Sequence, residues 1–352
     1  MNKRLLLFNL AMDENNSALN FTVNWVNALA ERFDHIDVVT MQKGDPQVAP
    51  NVTVYSIGKE RGYSEPRRAL VFYKILLGLL IKHRYVACFA HMMPLFVVMG
   101  APFLKVWRIP VTLWYAHPAR HRQVEWGARL SRRVITSVTD SFPIPVPHLR
   151  VIGQGINTDF WTLADPASET DSILYVSRLM PIKHQMTLIR AFAKDPKGKV
   201  ILIGDPMGAV EYRQSLEDMA HALDIYELVE FTGAKPPAQI RDDLHTALLA
   251  VNLTPQGSFD KTGLESMACG IPTIVANPSY EAVLGEYREQ LLIDDSDDIE
   301  GLAERIEYLR SLTTEERRAI GLRQRELVIQ YHSFKQLINR IEDIILTGET
   351  TR

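Results

Sequence analysis

"SILYVSRLMPIKHQMTLIRAFAKDPKGKVILIGDP", residues 172–206, decides the fold. A short apolar run ends at Leu179, an amphipathic segment follows, and a second apolar run starts at Lys199. Pro181 suits the first turn of a helix, and Ile182, Met186, Ile189 and Ala193 give that helix an apolar face. Strand, helix and strand in this order make a βαβ unit, whose two strands lie parallel. Downstream, "LVEFTGA", "LLAVNLTP", "PTIVAN" and "QLLIDD" read as further strands between helices of ordinary length.

Upstream the same alternation has already run once. "RLLLFNL", "HIDVVTM", "NVTVYSI", "YVACFAH", "PVTLWYAH", "RVITSVT" and "LRVIGQGI" are strand-like. Between the first two, Phe21, Trp25, Ala28, Leu29 and Phe33 place one stripe on a helix. Such alternation predicts parallel sheets with helices on both faces, an α/β chain of two Rossmann-like halves. The polar, turn-rich "FWTLADPASETD", residues 160–171, marks the join. The expected organisation is a first domain over 1–160, a linker over 161–171, a second domain over 172–332 and a terminal helix over 333–352. Ligands of such sheets bind at the carboxyl ends of the strands, here expected in the cleft between the halves.

Composition narrows the function classes. The chain has 352 residues, 46% hydrophobic and 23% charged, as a soluble globular protein of two domains would. Two cysteines, Cys88 and Cys269, provide no disulfide framework and suit a reducing, cytoplasmic setting. The uncharged stretch "VACFAHMMPLFVVMGAPFL", Val86–Leu104, is long enough for a membrane span. His91, Pro94, Gly100 and Pro102 interrupt it, so a strand followed by a broken helix is expected instead. The net charge of −3 divides into +8 over residues 1–160 and −11 over 161–352. A basic first half favours a phosphorylated ligand or an anionic membrane face, against the plainer reading of a chance surface distribution. No G-x-G-x-x-G or Walker loop follows either first strand, and no His/Cys spacing suits a metal. Nucleic-acid motifs are absent too.

Two stretches concentrate the chemistry. Arg178 precedes the helix opened by Pro181, and Lys183 falls in its expected first turn. Two cations beside a helix N-terminus, at a strand's carboxyl end, make a site suited to phosphate; a solvated surface pair is the alternative. In "GSFDKTGLESMACGIPTI", Gly257–Ile274, Thr262 and Glu265 have capping-box spacing. Glu265 then reads equally as a cap or as an acceptor for two ribose hydroxyls. His117 closes a strand of the first half, as a structural or a cleft histidine. The run that follows, "HPARHRQVEWGARLSRR", carries many cations against the single acid Glu125, as a solvated face or as a receiver of anionic acceptors or lipid head groups.

The ordered set "ILYVSRLMPIKHQMTLIRAFA", "VILIGDP", "VEFTGA" and "LESMACGIPTIVA" resembles the second domain of family-4 retaining glycosyltransferases, which have the GT-B fold. "WVNALAERFDHIDVVT", "TLWYAHP" and "VIGQGINTDFW" agree with the first domain more loosely. The resemblance implies two Rossmann-like domains facing across a cleft, with the last helix crossing back to the first. It also implies that Arg178 and Lys183 hold the donor diphosphate, that Glu265 binds the ribose and that His117 lies near the donor sugar. Gly233 and Ala234 match the loop beside the nucleobase, and the loop from Ser258 through Phe259, Asp260, Lys261, Thr262, Gly263 and Leu264 matches the donor-binding turn. The family's first motif acid falls on Gly257, which leaves Asp260 or Lys261 to substitute for it, and "AMDENNSAL" replaces a glycine-rich loop.

The resemblance implies transfer of a sugar from a nucleoside-diphosphate sugar, UDP-linked before GDP-linked, to an acceptor hydroxyl with retention. It needs no metal and no cofactor beyond the donor substrate. The expected acceptor is a carbohydrate or lipid-linked molecule of polysaccharide or glycolipid assembly, with no nucleic acid as partner. The helix around "EPRRALVFYKILLGLLIKHR" is expected to rest peripherally on an anionic membrane. A catalytically silent nucleotide binder and a nucleotide-sugar epimerase of the same fold are the other two readings, the first motivated by Gly257.

Overall fold

The computed structural model describes residues 3–14, 21–165, 168–206, 208, 210–257 and 259–348. Contacts divide the chain into two units, one up to Ile152 together with residues from Leu337 onward, the other Gly153–Gln336.

The first unit is built on a seven-stranded sheet in the order β3-β2-β1-β4-β5-β6-β7. Its strands are β1 (Arg4–Met12), β2 (His35–Lys43), β3 (Val52–Ser56), β4 (Ala87–His91), β5 (Val111–Trp114), β6 (Arg133–Thr136) and β7 (Leu149–Val151). Every pairing is parallel, and each of the seven expected runs supplies one strand. The central strands are apolar on both faces because helices cover both, among them α1 (Phe21–Ala30), α2 (Glu65–Lys82), α3 (Pro94–Val106) and α4 (Arg122–Leu130). Leu5, Leu6, Leu7 and Phe8 of β1 are all essentially inaccessible. The Val86–Leu104 stretch folds as β4 and α3, with Pro102 inside the helix. No helix among the described residues is long and apolar enough to cross a membrane. At the amino ends of β1 and β2, the fully buried Asp37 is satisfied by the Arg4 guanidinium at 2.6 Å and the Tyr85 hydroxyl at 2.7 Å. A buried carboxylate so placed is a structural anchor, remote in its strands from the ligand-binding ends.

The second unit has a five-stranded parallel sheet in the order β10-β9-β8-β11-β12. Its strands are β8 (Thr170–Val176), β9 (Lys199–Ile203), β10 (Val229–Gly233), β11 (Ala247–Asn252) and β12 (Thr273–Val275). Helices α5 (Gln185–Phe192), α6 (Val210–Ala222), α7 (Pro237–Leu244), α8 (Lys261–Ala268), α9 (Arg288–Leu291), α10 (Ile299–Ser311) and α11 (Thr314–His332) surround it. The chain runs β8 to β10 on one side and returns to β11 on the other, so the strand order reverses between β8 and β11. Open α/β sheets bind ligands at such a switch point.

Three expectations are corrected here. "QLLIDD" is not a strand: α9 takes its first two residues, and Leu292 forms only an isolated bridge to Val275. Residues 161–171 lie within the second unit, where Trp161 is buried in the core and its carbonyl accepts from Arg325. Polarity around Trp161 suggests a linker, but the buried Trp161 ring docks the segment on the core. Ile182 is half exposed, because the helix starts later than Pro181. The last helix, α12 (Phe334–Leu346), counts with the first unit from Leu337, and Arg133 donates to its Ile345 carbonyl at 3.3 Å.

Candidate active site at the β8/β11 switch point

The chain leaving β8 makes a single 3-10 turn over Pro181–Lys183 before α5. His184 separates the two in a left-handed conformation, φ +52°. Lys183 is therefore not in the first turn of a helix, as expected from Pro181, but in the turn before it. The difference matters because its side chain runs inward. It is almost fully buried, and its ammonium donates to Asp260 Oδ2 at 2.6 Å and to Thr254 Oγ1 at 3.0 Å. Tyr175 on β8 fixes this arrangement: its hydroxyl donates to the Lys183 carbonyl and accepts from the Leu253 amide at 2.9 Å. Arg178 stays in the loop with its side chain exposed, while Gln185 donates to its carbonyl at 2.9 Å.

From β11 the chain passes through Thr254 and Gly257 to α8. Gly257 has φ +90° with open space where a side chain would be. A glutamate there would have room but would strain the backbone, so the loop is shaped for glycine. Asp260, not Thr262, is the N-cap of α8, its Oδ1 accepting from the Thr262 amide at 3.3 Å. The Thr262 hydroxyl instead accepts from Asn252 Nδ2 at 3.0 Å. The capping-box reading of Glu265 thus falls, since the helix begins two residues earlier with an acid that caps better in this geometry.

Glu265 is left half-buried with no hydrogen bond to its carboxylate among the described residues. Burial pushes its carboxyl up to about 7, with Lys261 pulling it down and Asp260 pushing it further up. A carboxylate held without donors is one that ligand hydroxyls can satisfy. The remaining members of the loop are mostly structural. Phe259 packs on Tyr280 at 4.6 Å between ring centroids, and the Tyr280 hydroxyl donates to the Asp260 carbonyl. A Cβ on Gly263 would lie 2.8 Å from that hydroxyl, which requires glycine there. Leu264 is in the core. Lys261 borders the same helix start, and Ser258 lies outside the described residues.

At the neighbouring carboxyl ends, Gly233 closes β10 with φ +71°, and the Ala234 amide donates to Asp205 Oδ1 at 3.0 Å. The Asp205 carbonyl accepts from Leu179, which ties this loop to that of Arg178. Arg178, Lys183, Gly233, Ala234, Asp260 and Glu265 therefore all follow strand ends on one edge of the second sheet. His117 belongs to the first unit, exposed after β5, with Nδ1 accepting from the Ala119 amide at 3.0 Å. Sequence reasoning missed Thr254, Tyr175 and Tyr280. Their hydroxyls meet Lys183 and Asp260 only after folding, and nothing local signals it. Among the described residues no group of three His, Cys, Asp or Glu side chains is placed to hold a metal.

Comparison with known proteins fits this geometry. Residues 164–327 match the model of the family "Glycosyl transferases group 1". The match lies within the second unit. Curated relatives of this group include the D-inositol 3-phosphate glycosyltransferase of Mycobacterium sp. (strain JLS), 29% identical over 140 residues. That match covers 36% of this chain and 31% of the relative, so the chain matches about a third of that protein's length. The counterpart from Mycobacterium marinum is 33% identical over 113 residues, 31% of this chain and 23% of its own. Among solved structures, Anabaena Alr3699/HepE in complex with UDP aligns with a TM-score of 0.74 over 97% of this chain and 99% of its own, at 18% identity. A Rickettsia africae glycosyltransferase aligns at 0.75 over 99% of this chain and 100% of its own, at 14% identity. The fold is accordingly GT-B.

Proposed function

We propose that the chain is a retaining glycosyltransferase that moves a sugar from a nucleoside-diphosphate sugar to an acceptor hydroxyl. The observation that carries this is the switch-point pairing of a buried lysine with an unpartnered, half-buried carboxylate on the next helix, Lys183 for diphosphate and Glu265 for ribose. The HepE structures with UDP and with UDP-glucose favour a uridine donor. As the bond to the anomeric carbon lengthens, the sugar becomes oxocarbenium-like and the departing diphosphate gathers negative charge. Arg178, Lys183 and the amides at the start of α8 are the groups that would stabilise it. By the family resemblance, Gly233 and Ala234 would border the nucleobase, and His117 is the first unit's candidate residue for the donor sugar. The chemistry needs no protein nucleophile, metal or cofactor in this scheme. The test is calorimetric titration with UDP, then GDP, in metal-free buffer. Saturable binding of one of them is expected, followed by consumption of the matching sugar donor. Binding without consumption across a broad acceptor panel would favour a silent nucleotide-binding relative, a reading that Gly257 motivates.

The acceptor side would work on an anionic membrane face, consistent with a carbohydrate or lipid-linked acceptor in polysaccharide or glycolipid assembly. Residues 66–124 contain nine Lys and Arg and no Asp or Glu. On α2, Leu70, Lys74, Leu77 and Ile81 share one side at helical spacing, and Leu70 and Ile81 are 71% and 75% exposed. Leu76 meets Gly100 and Tyr73 meets Phe103, so α3 runs antiparallel to α2 and brings Val106, 74% exposed, toward Leu70. Protruding apolar side chains within a basic field suit an interfacial helix pair. The protein should sediment with vesicles half phosphatidylglycerol at low salt and not with neutral ones. The Ile81→Glu/Val106→Glu pair should abolish this; sedimentation unchanged by the pair would refute the surface.

A further inference from the structure

The group that pairs with the buried Lys183 ammonium is itself an anion. Asp260 Oδ2 holds the buried Lys183 ammonium at 2.6 Å, and its Oδ1 accepts from the Thr262 amide at the start of α8. Thr254 braces the same carboxylate, donating to Oδ2 at 3.4 Å. One side chain thus takes both groups that a diphosphate at this switch point would use, the ammonium and the helix-start amide. It is also the only acid between Leu253 and Leu264.

We infer that Asp260 is a resident counter-anion of the donor site, displaced by the donor's β-phosphate, and that this exchange tunes the site's strength toward diphosphates. The inference rests on the nucleotide-donor reading above. An empty site cannot leave Lys183 buried and unpaired without a large penalty, so a carboxylate must compensate it. Two anions cannot both sit within hydrogen-bonding distance of the same ammonium at that depth without strong repulsion. The incoming phosphate carries the greater charge and more acceptor oxygens, so it takes the ammonium and the amide together. The exchange needs only a swing of the Asp260 side chain. Its backbone remains fixed, because Tyr280 holds the carbonyl and not the carboxylate. No bond is made or broken beyond hydrogen bonds.

The consequence is that Asp260 opposes diphosphate binding while it stabilises the empty site. Asp260→Asn keeps an acceptor for the Thr262 amide and removes the charge. Calorimetry with uridine and UDP, and with guanosine and GDP, would be run on wild type, Asp260→Asn, Lys183→Met and the double variant, with melting checked for each. The expected result is that Asp260→Asn tightens the diphosphate by about tenfold, since one competing charge-assisted contact is lost. Nucleoside affinity should be unchanged, and the gain should vanish in the Lys183→Met background. Diphosphate affinity equal to or below wild type in a folded Asp260→Asn protein overturns the inference alone. If neither protein binds UDP or GDP, the donor reading fails and the inference with it. Should Asp260→Asn not fold, Asp260→Ser, a neutral cap of similar quality, carries the same expectations.

Discussion

Lys183→Ala is expected to lose turnover by about 10²-fold or more, as removal of a preorganised donor aimed at developing charge does elsewhere. The same variant should melt earlier. Lys183 is buried against Asp260, and deleting it leaves a carboxylate that is only partly exposed without its cation. Removing one partner of such a pair costs about 3 kcal/mol. Two consequences of one substitution must be separated, and Arg178→Ala separates them. Arg178 is exposed and Gln185 bonds only its carbonyl, so its loss should leave the melting temperature in place while turnover still falls. Donor consumption and thermal unfolding, measured on both variants below the melting point of Lys183→Ala, give the comparison. Wild-type turnover in folded Lys183→Ala would remove the ammonium from the chemistry and leave it a structural role with Asp260 alone.

The parallel architecture was legible because fully buried strands announce themselves as unbroken apolar runs. All seven runs of the first half became strands of one sheet. "QLLIDD" has the same character but only two residues before a turn, and it pairs through Leu292 alone, so its hydrophobicity reflects burial and not a ladder. Local chemistry misled in two instructive places. Pro181 and the following apolar residues promised an immediate helix, yet His184 turns left-handed first and sends Lys183 inward. Thr262 and Glu265 have correct capping spacing, but spacing cannot reveal that Asp260 already holds the amide in question. The site residues came from a family resemblance more than from pattern. What neither supplied was the partner of each charge: Asp260 lies 77 residues beyond Lys183, and Thr254 lies 71 beyond it. Such pairings are set by the order of strands around the switch point, which only the folded sheet displays.

Glu265 predicts a pH dependence that its neutral variant should erase. Burial holds the carboxyl near 7 in the free protein, against an ordinary value of 4.5. Ribose hydroxyls would donate to the ionised form, so binding should draw a proton off the protein at and below pH 7, and affinity should rise with pH. Between pH 6 and 8 the ionised fraction grows about tenfold for a group titrating at 7, which sets the expected gain in affinity. A phosphate also titrates near 6, so the protein's share is the difference between wild type and Glu265→Gln. The variant should bind UDP more weakly at pH 8 and show no proton release beyond that of the nucleotide. Stability runs the other way. The folded state keeps the proton longer than the unfolded chain, so the stabilisation is complete below about 4.5 and is lost as pH rises through 7. Above that, the ionised, half-buried carboxylate costs about 1–3 kcal/mol, which Glu265→Gln should recover as a higher melting temperature at pH 8 and not at pH 5. A residue that weakens the empty protein and strengthens the occupied one is serving a ligand. Equal melting and equal UDP affinity in the two proteins at pH 8 would instead make Glu265 a bystander on the helix.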